Sequence, residues 1–181
     1  VIWVDYDNDG DKDLFVTGFA APNRLYRNDG GLSLTDVSMA AGFPPIDAPT
    51  YGATFGDYDQ DGWLDLYVLN REQGYTYTNY LYRNKGDGTF ENVTLFSGTA
   101  DGFKPSFQAT FLDFNHDNWP DLYVANDLHT RNSLFLNRGD GTFADVSEAS
   151  NTALEMDAMN VGAADYDNDG DLDIYVTNTA I

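Results

Sequence analysis

The chain has 181 residues, enough to bury one core, and its 42% hydrophobic and 15% aromatic content excludes a disordered chain. Its 30 acidic and 9 basic residues give a net charge of −21, which excludes nucleic acid and anionic membranes as partners, since both attract clustered Lys and Arg. The sequence contains no apolar run of 18 residues, so membrane insertion is not predicted, and it contains no cysteine for disulfides or thiolate metal sites.

An acidic pattern of nine residues occurs four times, and its first aspartates are 52, 56 and 52 residues apart. Each copy leads into a short apolar stretch, and this regular recurrence is typical of a repeat architecture. The four copies are Asp5–Asp13, Asp57–Asp65, Asp113–Asp121 and Asp165–Asp173. The period predicts a single repeat domain over 1–181, with units at roughly 1–47, 48–103 and 104–156 and a partial unit at 157–181.

Each unit contains four short runs rich in Val, Leu, Tyr, Phe and Thr, which predict four antiparallel strands. In chain order, the first unit has them at Val1–Val4, directly after Asp13, at Arg24–Asn28 and at Leu34–Ser38. No long stretch has apolar residues at helical spacing, so we expect helices to be few and short.

The second strand of a unit is apolar on both faces. Leu66 and Val68 point to one side and Tyr67 to the other, because side chains alternate along a strand. Stacked sheets cover both faces, as in the blades of a propeller. The predicted fold is therefore all-β, a β-propeller-type repeat of about three and a half four-stranded antiparallel blades. This number cannot close a ring, so we expect part of a larger propeller or an open array assembled from copies.

A glycine turn precedes the last strand of each full unit. The Asp-Gly pair within Lys85–Phe90 and within Arg138–Phe143 is a hairpin signal, because such a turn needs positive φ at its centre. The first unit departs from this pattern, since DGGLSL, beginning at Asp29, replaces the GDGTF motif.

The acidic loops offer oxygen ligands at fixed positions. In Asp57–Asp65, carboxylates occupy positions 1, 3, 5 and 9, and Gly62 at position 6 permits a sharp turn. At ~4 Å and an effective dielectric of about 20, two such charges repel by roughly 4 kcal/mol. The carboxylates and a backbone carbonyl at position 7 suit the coordination of Ca²⁺, which accepts roughly six to eight oxygen ligands. Mg²⁺ is second choice because it needs stricter geometry, and zinc or copper is disfavoured without Cys.

The same opening also begins an EF-hand loop, which requires a bidentate Glu at position 12. Here position 12 is valine and position 9 is aspartate in every copy, and predicted strands flank the loops. The third loop differs from the others because Asn115 and Asn118 occupy positions 3 and 6. Asn offers an oxygen and tolerates positive φ, so we expect a weaker site there.

The pattern DxDxDGxxD, followed by LYVxN, LYRN, GDGTF and DVS, resembles the FG-GAP/VCBS repeat family, and within it the repeats of acidic extracellular proteins related to cartilage acidic protein. The resemblance implies a β-propeller with Ca²⁺ in the hairpin between the first two strands of each blade. The side-chain ligands that it implies are Asp5, Asp7, Asp9, Asp13, Asp57, Asp59, Asp61, Asp65, Asp113, Asn115, Asp117, Asp121, Asp165, Asp167, Asp169 and Asp173. The carbonyls that it implies are those of Asp11, Trp63, Trp119 and Asp171.

These features predict a non-catalytic, calcium-binding extracellular module for adhesion, ligand binding or assembly, with Ca²⁺ at about four sites as a structural staple. Two alternatives stay open: a filament subunit that completes blades between copies, and the propeller part of a polysaccharide-degrading enzyme. The expected partners are other copies or the rest of a longer chain, and a carbohydrate or protein ligand. We expect secretion or display at the cell surface. No catalytic motif is recognisable, so an enzyme is not expected.

Further motifs lie outside the ligand positions. Arg138–Asp140 spells an integrin-type tripeptide, although its match to Lys85–Asp87 favours a plain hairpin turn. Asn92 begins a glycosylation sequon. The cluster Tyr75–Tyr80 suits a carbohydrate or protein contact or, alternatively, edge-strand packing. His116 occupies a non-ligand position of the third loop, where a solvent-facing role is expected.

Overall fold

The structure, a computed structural model, describes residues 1–31, 33–71 and 76–179. Three four-stranded antiparallel sheets follow one another along the chain. The first contains β1 (Ile2–Val4), β2 (Asp13–Val16), β3 (Arg24–Asn28) and β4 (Leu34–Asp36). The second contains β5 (Thr50–Gly56), β6 (Asp65–Asn70), β7 (Tyr80–Asn84) and β8 (Phe90–Asn92). The third contains β9 (Ser106–Leu112), β10 (Asp121–Asn126), β12 (Ser133–Asn137) and β13 (Phe143–Asp145).

A fourth sheet has two strands, β15 (Ala158–Ala164) and β16 (Asp173–Asn178). A short ribbon pairs β11 (Thr130–Arg131) with β14 (Glu155–Met156), which the sequence patterns did not predict. Within the described ranges, α1 (Thr94–Ser97) is the one α-helix. The fold prediction is confirmed: the protein is all-β, with three complete propeller-type blades and half of a fourth. The exact boundaries of the repeat units stay a prediction.

The sheets stack face to face, and β6 shows why its sequence is apolar throughout. All six of its residues are buried. Leu66 and Val68 pack into a cluster with Phe15 of the first sheet, whereas Tyr67 and Leu69 pack into a cluster that includes the third sheet. The predicted two-sided burial is therefore confirmed for β6, and it fixes the register of that strand.

The hairpins between the third and fourth strands have the same closure in all three complete blades. The backbone N–H of Asp29 donates to the carbonyl of Ser33 at 2.9 Å, and Lys85 donates to Thr89 at 3.0 Å in the same way. The unusual first turn thus closes like the others, although its residue 32 lies outside the described residues. In the second turn Gly86 has φ of 70°, and a Cβ there would lie 2.6 Å from the ring of Trp63.

Candidate metal centres in the acidic loops

Each acidic loop joins the first strand of a sheet to the second, as the sequence pattern predicts. The residue at position 6 has positive φ in every loop, including Asn118 at 71° in the loop that lacks the glycine. Position 4 also has positive φ, with Gln60 at 57° and His116 at 60°. The four loops therefore share one backbone conformation, and they differ in their side chains.

Carboxylates at positions 1 and 5 shape the loop by accepting hydrogen bonds from its own backbone. The oxygens of Asp57 accept the N–H groups of Asp61 at 3.1 Å and of Gly62 at 3.0 Å. Asp61 accepts the N–H of Trp63 at 3.0 Å. Contacts of this kind recur in the other loops, so the backbone of each loop is held by its own carboxylates.

The aspartate at position 9 has a structural role that the sequence reasoning missed. Asp65 is fully buried, and its two oxygens accept the N–H groups of Tyr58 at 3.1 Å and of Asn84 at 2.8 Å. Asp13 and Asp121 make the matching pair of bonds in their own sheets. Position 9 therefore ties the acidic loop to the third strand of its own blade. Any metal at these sites would share an oxygen that the backbone already uses.

The signal for this contact was an asparagine at the end of each third strand. The side chain of Asn84 also donates to the carbonyl of Tyr6 in the acidic loop of the preceding blade at 2.8 Å. Asn137 donates in the same way to the carbonyl of Tyr58. Because these asparagines recur at one position of the repeat, their spacing could have revealed that the loops and the blade interfaces are stapled together.

Three of the four loops bring three carboxylate oxygens within 4.8 Å of one another. The three trios are Asp5, Asp7 and Asp13; Asp57, Asp59 and Asp61; and Asp165, Asp167 and Asp173. No acidic trio forms in the third loop, which the structure describes in full. There the side-chain amide of Asn115 donates to Asp117 at 2.8 Å, so position 3 is occupied by an internal hydrogen bond. The expected weakness of this site stays a prediction.

The remaining implied ligands lie in the same loops without joining a trio. They are Asp9, Asp65, Asp113, Asn115, Asp117, Asp121 and Asp169. The roles assigned to the carbonyls of Asp11, Trp63, Trp119 and Asp171 stay predictions as well. The complete ligand set is therefore a hypothesis, supported by convergence at three loops.

Some carboxylate oxygens in these loops are buried without a partner among the described residues. They are one oxygen each of Asp5, Asp7 and Asp59. Burial, with smaller contributions from neighbouring Asp13 and Asp9, raises the pKa of the Asp7 carboxyl above its ordinary value. Burial likewise raises the pKa of the Asp65 carboxyl to about 8. A buried charge without a counter-charge is costly, so the oxygens of Asp5 and Asp7 fit a bound cation, whereas Asp59 already has the Arg83 side chain 2.6 Å from its other oxygen.

The donor set identifies the class of cation that fits. The available ligands are carboxylate, amide and carbonyl oxygens, which suit a hard divalent ion such as Ca²⁺. The first and second loops fit best, because they combine a trio with unpaired buried oxygens. The third loop fits least, because it holds fewer carboxylates and its amide is already bonded.

Neighbouring loops also touch each other through position 4. The side chain of Asn8 donates to the carbonyl of Gly62 at 3.0 Å, and that of Gln60 donates to the carbonyl of Asn118. A ring nitrogen of His116 lies 3.2 Å from a carboxylate oxygen of Asp171. The sequence patterns did not predict this row of contacts, because position 4 is asparagine in the first and fourth loops, glutamine in the second and histidine in the third.

The other candidate motifs are placed as follows. Asp140 accepts the backbone N–H of Thr142 at 3.0 Å, so the Arg138–Asp140 tripeptide forms part of a hairpin turn. Asn92 is exposed at the end of the outermost strand of its blade, and its glycosylation stays a prediction. The cluster Tyr75–Tyr80 begins outside the described residues, and its buried Asn79 bonds to backbone and to another strand.

Comparison with known proteins agrees with this arrangement. The FG-GAP-like repeat matches three times, over residues 5–68, 59–124 and 113–176. Human cartilage acidic protein 1 is 27% identical over 99% of this chain and 28% of its own length. Human integrin alpha-7 is 25% identical over 88% of this chain and 14% of its own length. The chain thus spans less than a third of the curated relatives that it matches.

A solved structure shares the fold. It describes the recognition of non-reducing terminal N-acetylglucosamine by an Agrocybe aegerita lectin, with a TM-score of 0.52 and 19% identity over 95% of this chain and 44% of the lectin. In the described residues, no helix has the length and apolar character needed to cross a membrane. From its repeats, its blades and the matches that cover nearly its whole length, the chain belongs to the FG-GAP-like repeat family.

Proposed function

We propose that this chain is a calcium-stabilised, non-catalytic repeat module that works outside the cell in ligand binding or assembly. Ca²⁺ in the acidic loops acts as a structural staple between the first and second strands of each blade. The first, second and fourth loops are the strong sites, and the third is weak. A cation of this kind binds the folded loops and not the unfolded chain, so metal binding adds to folding stability.

The observation that carries the proposal is the set of unpaired, buried oxygens of Asp5, Asp7 and Asp59. Each lies in a trio of carboxylates whose oxygens approach within 4.8 Å. At that distance like charges repel by about 3–4 kcal/mol for an effective dielectric near 20. A divalent cation removes this repulsion and satisfies the unpaired oxygens at the same time.

Binding of a protein or carbohydrate ligand is the proposed activity of the assembled blades. Similarity to an integrin α subunit and to a lectin of the same fold supports this class of function. The extracellular location is supported by the same relatives and by the need for plentiful calcium. Sites of this type in extracellular modules bind at ~10⁻⁴–10⁻³ M.

We also propose that a further blade covers the outer face of the fourth sheet. Tyr175 is 74% exposed there, whereas the equivalent Tyr67 and Tyr123 are buried by the next blade. The blade comes from a longer chain or from a second copy. Light scattering of the purified chain separates these sources. A mass above that of the monomer, lowered by Tyr175→Glu, supports the second copy, and a strict monomer excludes it.

Calorimetric titration with CaCl₂ tests the metal proposal. We expect about three sites with sub-millimolar to millimolar dissociation constants. Asp7→Asn should remove one site, because it replaces an oxygen of the first trio. The matched control is Asp47→Asn, which removes the same charge at an exposed position outside the loops and should leave the site count unchanged. Absence of binding heat and of any Ca²⁺ retained on equilibrium dialysis would refute the proposal.

A further inference from the structure

Arg83, on the third strand of the second blade, reaches into the second acidic loop. Its Nε lies 2.6 Å from an oxygen of Asp59, and one of its terminal nitrogens lies 3.2 Å from Asp61. Both aspartates belong to the trio of that loop. Arg83 is thus a positive charge held against the oxygens that are proposed to bind the metal.

The first blade has an arginine at the same position, but it points elsewhere. Arg27 lies 2.7 Å from a carboxylate oxygen of Asp29, and that carboxylate also accepts the hydroxyl of Thr35 at 2.5 Å. Asp29 is the first residue of the unusual turn, and the second blade has Lys85 at this place. The departure in the first turn therefore supplies an acceptor that pairs with Arg27, which forms no ion pair with the first loop among the described residues.

The third blade shows a third arrangement. The equivalent position is Leu136, so no arginine is available there. The third loop also has asparagine instead of aspartate at position 3, which leaves less negative charge to compensate. An arginine directed at the loop is therefore found in the second blade alone, among the three blades that have a third strand in the described ranges.

We propose that Arg83 is a built-in counter-cation that competes with Ca²⁺ at the second loop, and that Asp29 keeps Arg27 from doing the same at the first. This inference rests on the proposed metal sites. It predicts an order of filling: the first loop loads at lower Ca²⁺ than the second.

The contacts of Arg83 are those of a displaceable partner. Its Nε is buried against Asp59 without an aligned hydrogen bond, one oxygen of Asp59 stays unpaired, and the hydrogen bond that a terminal nitrogen donates to Asp61 is long, at 3.2 Å. Its side chain is 43% exposed, so it can turn into solvent when the ion arrives. A guanidinium paired with two carboxylates satisfies part of the loop's charge, and a divalent ion can satisfy more.

Calcium titration of variants tests this order. In a background with Asp7→Asn and Asp167→Asn, which weakens the first and fourth sites, the second loop supplies the main signal. Arg83→Leu, which copies the third blade, should then tighten Ca²⁺ binding about tenfold. The matched control is Arg24→Leu, which removes an arginine whose partner Asp36 lies outside the loops. It should change the affinity by no more than about twofold.

A second variant tests the role of Asp29 in the otherwise natural chain. Asp29→Lys copies the second blade, so it should release Arg27 and weaken the tightest site. Melting adds a readout that a purely structural role would not move: Arg83→Leu should lower the melting temperature in EDTA and raise it in Ca²⁺, relative to the parent. Equal affinities for Arg83→Leu and Arg24→Leu, with Ca²⁺ still bound, would overturn this inference alone. Loss of all Ca²⁺ binding in the parent chain would instead refute the metal proposal.

Discussion

The first and third acidic loops have the same backbone and different chemistry. In both, position 9 accepts two backbone N–H groups, and position 6 has positive φ. In the first loop, an oxygen of Asp7 is buried and unpaired, whereas in the third Asn115 donates to Asp117. The loop conformation therefore does not depend on a full set of carboxylates. The side chain at position 3 decides whether the loop offers a charged trio.

The largest effect should come from breaking what the two loops share. Asp13→Ala and Asp121→Ala each leave two buried backbone N–H groups without an acceptor, which should lower the free energy of unfolding by about 3 kcal/mol. Urea denaturation in EDTA should show similar losses for both variants, whereas in Ca²⁺ Asp13→Ala should lose more, because Asp13 belongs to the first trio of carboxylates. If either variant kept the parent's stability in EDTA, the two hydrogen bonds that the aspartate at position 9 accepts would not stabilise the fold.

The next largest change in stability should distinguish the first acidic loop from the third. Asp7→Asn removes a ligand of the first trio, so it should lower stability in Ca²⁺ by about 1–2 kcal/mol. In EDTA it should cause no loss, because one oxygen of the carboxylate that it replaces is buried without a partner. The reverse change, Asn115→Asp, should add a site to the third loop. Chemical denaturation in both buffers measures the two variants, and a loss of equal size for Asp7→Asn in both buffers would contradict the account.

A smaller difference should arise at the turns that cover position 7. Gly139 has φ of 70°, and a Cβ there would lie 2.7 Å from the ring of Trp119. Gly30 has φ of 86°, and its nearest atom would be an oxygen of Asp11 at 3.7 Å. Alanine at either position strains the backbone and should lower the free energy of unfolding by about 1 kcal/mol. Gly139→Ala should lower it by about 1 kcal/mol more, because its Cβ also meets the Trp119 ring. Melting curves of the two variants measure this difference. Equal losses of stability would show that the tryptophan ring moves aside at no cost.

Part of this architecture follows from the sequence alone. The alternation in Leu66, Tyr67 and Val68 predicted stacked sheets, and the acidic spacing placed each loop between the first two strands. The sequence reasoning missed the backbone hydrogen bonds of Asp65, because its partners Tyr58 and Asn84 meet it only when the strands pair, and the recurring asparagine at the end of each third strand was the one signal for them. An aspartate that binds a metal ion and an aspartate that accepts backbone hydrogen bonds look the same in the sequence pattern.

Several side-chain contacts, both between units and within one unit, were also hidden from the sequence. Gln60 reaches Asn118 in the next loop, and Arg83 turns toward its own loop while Arg27 turns to Asp29. The partner that each of these side chains takes depends on which acceptor lies nearest to it in the folded protein. The ribbon of β11 and β14 was missed for a similar reason, since two-residue strands carry no periodic signal.

The most direct test of the central claim is thermal unfolding of the chain in millimolar CaCl₂ and in EDTA, with MgCl₂ at matched ionic strength as the control. Occupied loops should raise the midpoint in Ca²⁺ by about 10 °C or more above that in EDTA, with a smaller rise in Mg²⁺. The same midpoint in all three buffers would mean that the acidic loops fold and persist without an ion, and would contradict the account.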